Sequence, residues 1–256
     1  MKLKCIGCEA LARSLYFYAA HSTHLIDITL FKIGLHDTPE KLRAKLQMEI
    51  DTASEGEYDA ILMAYGLCGN STVGLQASRI KVVIPRAHDC ITLFLGNRTE
   101  YQQQFEKYPG TYWYVLDYLE RRNPMDTSLS LGTSISKESD KQYDEYVQKY
   151  GLENAQYLMS IMGTWHNHYQ RAVFIDMNLG ESKAVEEQAR KEATHYGWQF
   201  EKIDGNPTLI RRLLSGDWDS DFVIIKPGQQ LIMTYDQYII DSVNLISKID
   251  PLESNA

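Results

Sequence analysis

Apolar runs of strand length alternate with helically spaced stretches from residue 3 to residue 108. Residues 3–6 are mostly apolar, and residues 8–21 then carry Ala10, Leu11, Leu15, Tyr16 and Ala19 at helical spacing. Residues 26–32 read as a strand. Pro39-Glu40 opens a helical stretch over 41–53, because proline is preorganised for the first helical turn. Residues 59–64 have the composition of a buried strand. Gly66, Gly69 and Gly74 punctuate the segment after it, and residues 80–84 form another strand, stopped by Pro85. Residues 91–95 and 101–108 add two short helical pieces. Right-handed crossovers turn such a βαβαβ series into a mainly parallel sheet with helices on both faces.

The texture changes after Gly110. Residues 111–116 are dense in aromatics, 122–137 are polar, and 142–161 regain a helical pattern. Residues 172–177 and 198–203 then read as strands on either side of a helix over 182–196, with 207–214 and 222–225 closing a second series. The expected organisation is α/β with two Rossmann-like halves. They are residues 1–120 and 165–256, joined by a helical connection or insertion over 121–164.

Composition narrows the function classes. The chain has 256 residues, enough for a sizeable core without disulfide staples. It carries 26 basic and 34 acidic side chains, a formal charge of -8, with no basic stripe interleaved with aromatics, so nucleic-acid binding is disfavoured. No apolar run approaches the length of a membrane span. The run after Met1 is broken by Glu9 too soon to read as a secretory signal, which points to a cytoplasmic protein. The acidic charge is compatible with a homodimer but does not require one. In a reducing compartment four cysteines are core residues, nucleophiles or metal ligands rather than a disulfide framework.

Their placement is informative. Cys8 follows the first strand, Cys68 lies four residues past Ala64, and Cys90 lies six past Ile84. Ligands of open α/β sheets bind outside the carboxyl ends of the strands, so three parallel strands would bring these thiols to one rim, where a metal or cluster can unite them. Ordinary burial of free thiols is the alternative. Cys5 sits inside the first strand and is expected in the core, although Cys5 and Cys8 formally make a C-x-x-C.

Gly66 and Gly69 bracket Cys68, and their amides, with that of Asn70, are candidate donors to an anion or to cluster sulfurs; a plain Gly-rich turn is the alternative. In Arg86-Ala87-His88-Asp89-Cys90, His88 is a candidate ligand or acid/base and Asp89 an orienting or helix-capping residue. Arg86 is a candidate clamp for a substrate carboxylate or phosphate. His36 and Glu9 belong to the same rim. Tyr112, Trp113 and Tyr114 suit core packing or a pocket wall. His166 and His168, two residues apart, suit a shared metal poorly, and Asp176 and Gly205-Asn206 are the candidates from the second half.

With Cys8-Glu9, Gly34-Leu35-His36, residues 39–42 (PEKL), residues 65–70 (YGLCGN), residues 85–91 (PRAHDCI) and residues 109–113 (PGTYW), the chain resembles DUF1638, a bacterial and archaeal family without an assigned activity. The resemblance is dense over residues 3–120. It marks Cys8, Cys68 and Cys90 and leaves Cys5 unmarked. It also implies a setting near corrinoid-dependent methyl transfer in anaerobes, hence a corrinoid-system partner.

Three thiolates suit a [4Fe–4S] cluster with one iron open to substrate, or a Zn²⁺ with an open fourth position. The expectation is a metal- or iron–sulfur-dependent enzyme that handles a small polar or anionic substrate by lyase- or desulfidase-like Lewis-acid chemistry. The cluster is placed first and zinc-thiolate methyl transfer second. An accessory metal- or cofactor-binding protein and a structural protein with buried thiols are the other classes.

Overall fold

The computed structural model describes residues 1–121, 151–152 and 168–245. Apart from Arg121, Gly151 and Leu152, the expected connection over 121–164 lies outside the described residues, as do residues 165–167.

Four parallel strands form most of the first sheet: β1 (Lys2–Cys8), β2 (Leu25–Phe31), β3 (Ala60–Ala64) and β4 (Val82–Pro85). The order is β2-β1-β3-β4-β8, in which β8 (Phe222–Ile225) closes the edge antiparallel to β4. The central strand β3 is Ala-Ile-Leu-Met-Ala, buried along its whole length, as a strand covered on both faces must be. One face meets α2 (Pro39–Ser54), whose Leu42, Leu46 and Ile50 recur every fourth residue and pack with Ile6, Ile61 and Met63. Each of those burials contributes about 1.5–3 kcal/mol before chain entropy is counted. The other face, with Leu3, Cys5, Leu62 and Val83, joins α1 (Ala12–Ala20) and α7 (Thr208–Ser215) in the larger core.

The second sheet is parallel and has the order β5-β6-β7, built from β5 (Thr111–Val115), β6 (Arg171–Asp176) and β7 (Gln199–Asp204). The helix α6 (Lys183–Tyr196) crosses between β6 and β7 and buries Ala189 and Ala193. The helices α3 (Cys90–Leu95) and α4 (Arg98–Lys107) link β4 to β5, and α5 (Leu116–Arg121) follows β5. A hairpin of β9 (Gln229–Met233) and β10 (Ile240–Asn244) packs Leu231 and Ile240 into the α2 side of the first sheet.

The result is a mixed α/β fold with a mainly parallel central sheet. Sheet membership is interleaved rather than sequential. The aromatic segment 111–115 pairs with β6, so it belongs with the later strands, while β8 returns to the first sheet. The hairpin, which the sequence pattern missed, is made of runs too short to show a period. Among the described residues no helix is long and apolar enough to cross a membrane.

Candidate active site

Two loops leave the carboxyl ends of neighbouring strands and stay hydrogen-bonded beyond them. After β3 and β4 the Leu67 N–H donates to the Ala87 carbonyl and the Cys68 N–H to the His88 carbonyl, both at 2.8 Å. Gly66 makes this approach possible. A Cβ there would stand 2.7 Å from the Ala87 oxygen and from the Asp89 nitrogen, and 2.9 Å from the Asp89 Cα, all backbone atoms. Beyond this contact Cys68, Gly69 and Asn70 all have positive φ, at 46°, 62° and 67°. The Ser71 N–H and hydroxyl both donate to the Cys68 carbonyl, at 3.2 and 2.7 Å, and close the turn. From α2, Arg43 donates to the Asn70 carbonyl at 2.6 Å and braces it. A cysteine held left-handed costs about 1–2 kcal/mol relative to the ordinary helical region. Stored strain of that kind is characteristic of functional loops.

This geometry gathers Cys8, the last residue of β1, with Cys68 and Cys90 in the lining of one pocket. His36, from the turn after β2, lines it as well, with its Nε2 3.5 Å from Asp37 Oδ1. The remaining wall is apolar and aromatic: Tyr65, Ile91, Trp113, Val115 and Tyr118. Through β5 and α5 the second sheet therefore supplies one side of the pocket. Cys5 is fully buried in the core and does not line it.

Burial raises all three thiols. Cys8 is pushed up to about 11, and Cys68 and Cys90 higher still, because Asp89 and the neighbouring thiols add repulsion to desolvation. Tyr65 and Tyr118 are likewise raised, first by burial and then by the cysteines near them. No lysine or arginine is among the described residues lining this pocket. A soft cation is the partner that would reverse the shift, since metal ligation deprotonates a thiol outright. In kind, then, the donors fit a thiophilic metal. As placed, no three His, Cys, Asp or Glu side chains among the described residues stand close enough together to hold one.

The other sequence candidates lie elsewhere. Arg86 turns to the hairpin, donating to the carbonyls of Ser220, Tyr238 and Ile240 and resting over the Tyr238 ring. Arg86→Ala should therefore cost about 2–3 kcal/mol in urea unfolding, through lost charged hydrogen bonds, and leave cysteine reactivity unchanged. His88 stacks on Tyr101 at 5.2 Å, and the desolvation that goes with this packing pushes its imidazole down. Gly69 and Asn70 are exposed and shape the turn rather than line the pocket. Asp176 is held by Lys202, Ser182 and the Asn178 amide, and Asn206, just ahead of α7, accepts from the Thr208 amide through its Oδ1. Glu9 opens a short 3₁₀ turn. Sequence reasoning missed Arg43 and Tyr118, and gave Tyr65 no role beyond its place in the YGLCGN run; the spacing of Arg43 on α2 is that of any half-buried helical arginine.

Asp89 caps α3, accepting from the Ile91 and Thr92 amides, and takes the Tyr101 hydroxyl at 3.0 Å. Burial lifts its carboxyl from 3.8 to about 6. A raised carboxyl binds its proton more tightly in the folded state. Its contribution to stability is therefore present below pH 3.8 and is lost as pH rises through about 6. Asp89→Asn keeps a capping oxygen and removes the charge. The variant should lack that pH slope in denaturant titrations, and Cys68 and Cys90 should be alkylated faster at mildly alkaline pH.

A family model described as "Protein of unknown function (DUF1638)" matches residues 30–214, which include His36, Cys68 and Cys90 and begin after Cys8. No curated protein and no solved structure matches the chain.

Proposed function

The chain belongs to the DUF1638 family, and from that premise we propose that Cys8, Cys68 and Cys90 hold a [4Fe–4S] cluster at which a small polar or anionic substrate is transformed in a lyase- or desulfidase-like reaction. One observation carries the reading: three of the four cysteines line one pocket while the fourth is in the core. Three thiolates leave one iron without a protein thiolate, and such an iron, when the cluster is bound, supplies a Lewis acid.

In this reading the site is that of a Rossmann-like arrangement, outside the carboxyl ends of parallel strands. The chain's own residues do the rest. Cys68 is held in its left-handed turn, and the three thiols would have to draw together around the cluster for it to bind. Tyr65, Ile91, Val115 and Tyr118 exclude water and strengthen every polar contact made inside. His36 is the imidazole among the pocket-lining residues, with Asp37 beside its Nε2, and is placed to move a proton. Because His36 shares the pocket, a Cys₃His zinc site is the second reading, and it would be closed rather than catalytic.

The open position is testable directly. After anaerobic loading with iron and sulfide, small hydroxy- and thiocarboxylates should perturb the cluster's visible and electron-paramagnetic spectra. A loaded protein whose spectra respond to none of them would remove the enzymatic reading and leave a structural or carrier site.

A further inference from the structure

Trp113 belongs to two cavities. Besides the thiol pocket it lines an open groove with Tyr101, Phe105, Tyr108, Thr111 and Tyr169. The groove lining is mostly aromatic. Tyr101 and Phe105, one turn apart on α4, hold their rings parallel within 5° at 6.5 Å, and His88 continues the series against Tyr101. Phe105 is 59% and Tyr108 36% exposed, so apolar ring surface is left in water along this path. The polar atoms nearby are committed: the Tyr101 hydroxyl donates to Asp89, and the Thr111 hydroxyl to the Tyr108 carbonyl. Lys107 and Arg171 already stand over the Tyr108 ring, at 5.0 and 4.1 Å. That rim disfavours a further cation and favours an uncharged or anionic guest.

We propose that this groove binds a planar aromatic or heteroaromatic ring, and that the ring is the part of the substrate held outside the thiol pocket while its reactive end passes Trp113. The second clause rests on the function proposed above; the first stands on the groove alone. Offset stacking on parallel rings explains why a flat, unsaturated guest is preferred over a saturated one of equal size.

Isothermal calorimetry on the full chain, with metal chelated, separates the two. Naphthalene-2-carboxylate should bind, decahydronaphthalene-2-carboxylate should bind several-fold more weakly, and Phe105→Ala should weaken the planar probe roughly three- to tenfold. Cys68→Ala should leave ring binding intact, so a failure of the metal reading does not touch it. Equal affinity for the saturated analogue, preferential binding of tetramethylammonium, or indifference to Phe105→Ala would each overturn the ring site. Continuity has its own readout. A naphthylmethyl iodoacetamide, which loses iodide as a pocket thiolate forms the C–S bond, should alkylate Cys8, Cys68 or Cys90 faster than iodoacetamide does. Free naphthalene-2-carboxylate should abolish the advantage. No acceleration at any of the three would overturn the passage past Trp113.

Discussion

Gly66→Ala is expected to lower the stability of the protein by about 2–3 kcal/mol and to scatter the thiols, the largest effect of any single methyl group at this site. The added carbon meets backbone on the opposite loop at 2.7 Å from two atoms, so no side-chain rotation relieves it. One loop must withdraw. Withdrawal breaks the Leu67–Ala87 and Cys68–His88 hydrogen bonds that carry Cys68 alongside the segment leading to Cys90. Urea unfolding gives the first quantity. Alkylation rates mapped by mass spectrometry give the second, since the buried Cys68 should become the fastest-reacting thiol rather than a slow one. Normal stability with parental rates would mean that the loops do not approach as described.

The second large effect separates folding from function. Cys8→Ala, Cys68→Ala and Cys90→Ala should each lower metal affinity at least ~100-fold, beyond the loss typical of an outer-shell change, whereas Cys5→Ala should keep the metal and lose only core packing. Cys68 allows a sharper comparison. Because its φ is +46°, Cys68→Gly should be more stable than Cys68→Ala by about 1 kcal/mol, although both lose the metal. A position whose thiol is needed for binding and whose backbone prefers glycine is one where stability has been exchanged for a site. Parental metal content in all three alanine variants would end the ligand assignment.

Much of the fold was legible because its signals are local. Period and burial composition marked β1, β3 and β4, Pro39 marked the start of α2, and the chain positions of Cys8, Cys68 and Cys90 followed from those strand ends. Pairing was not legible. The run Thr111–Val115 looks the same whether its neighbour is an earlier or a later strand, and only its contact with β6 decides. Phe222–Ile225 reads as a buried strand in either direction; that it runs antiparallel to β4 is a property of the partner. The left-handed turn at Cys68 escaped because cysteine carries no preference for it, although Gly69 and Asn70 do. Arg86 and His88 looked reactive because both lie within a few residues of Cys90. Strand and turn geometry instead points one toward the hairpin carbonyls and the other onto Tyr101.

Three thiols forming one cofactor site is the central claim, and metal analysis of protein purified without oxygen tests it most directly. About four irons and about four acid-labile sulfides per chain are expected, with the visible absorption of a [4Fe–4S] cluster. One zinc without sulfide would keep the ligands and replace the cofactor. A chain that holds neither iron nor zinc, even after anaerobic reconstitution, would refute the cofactor site.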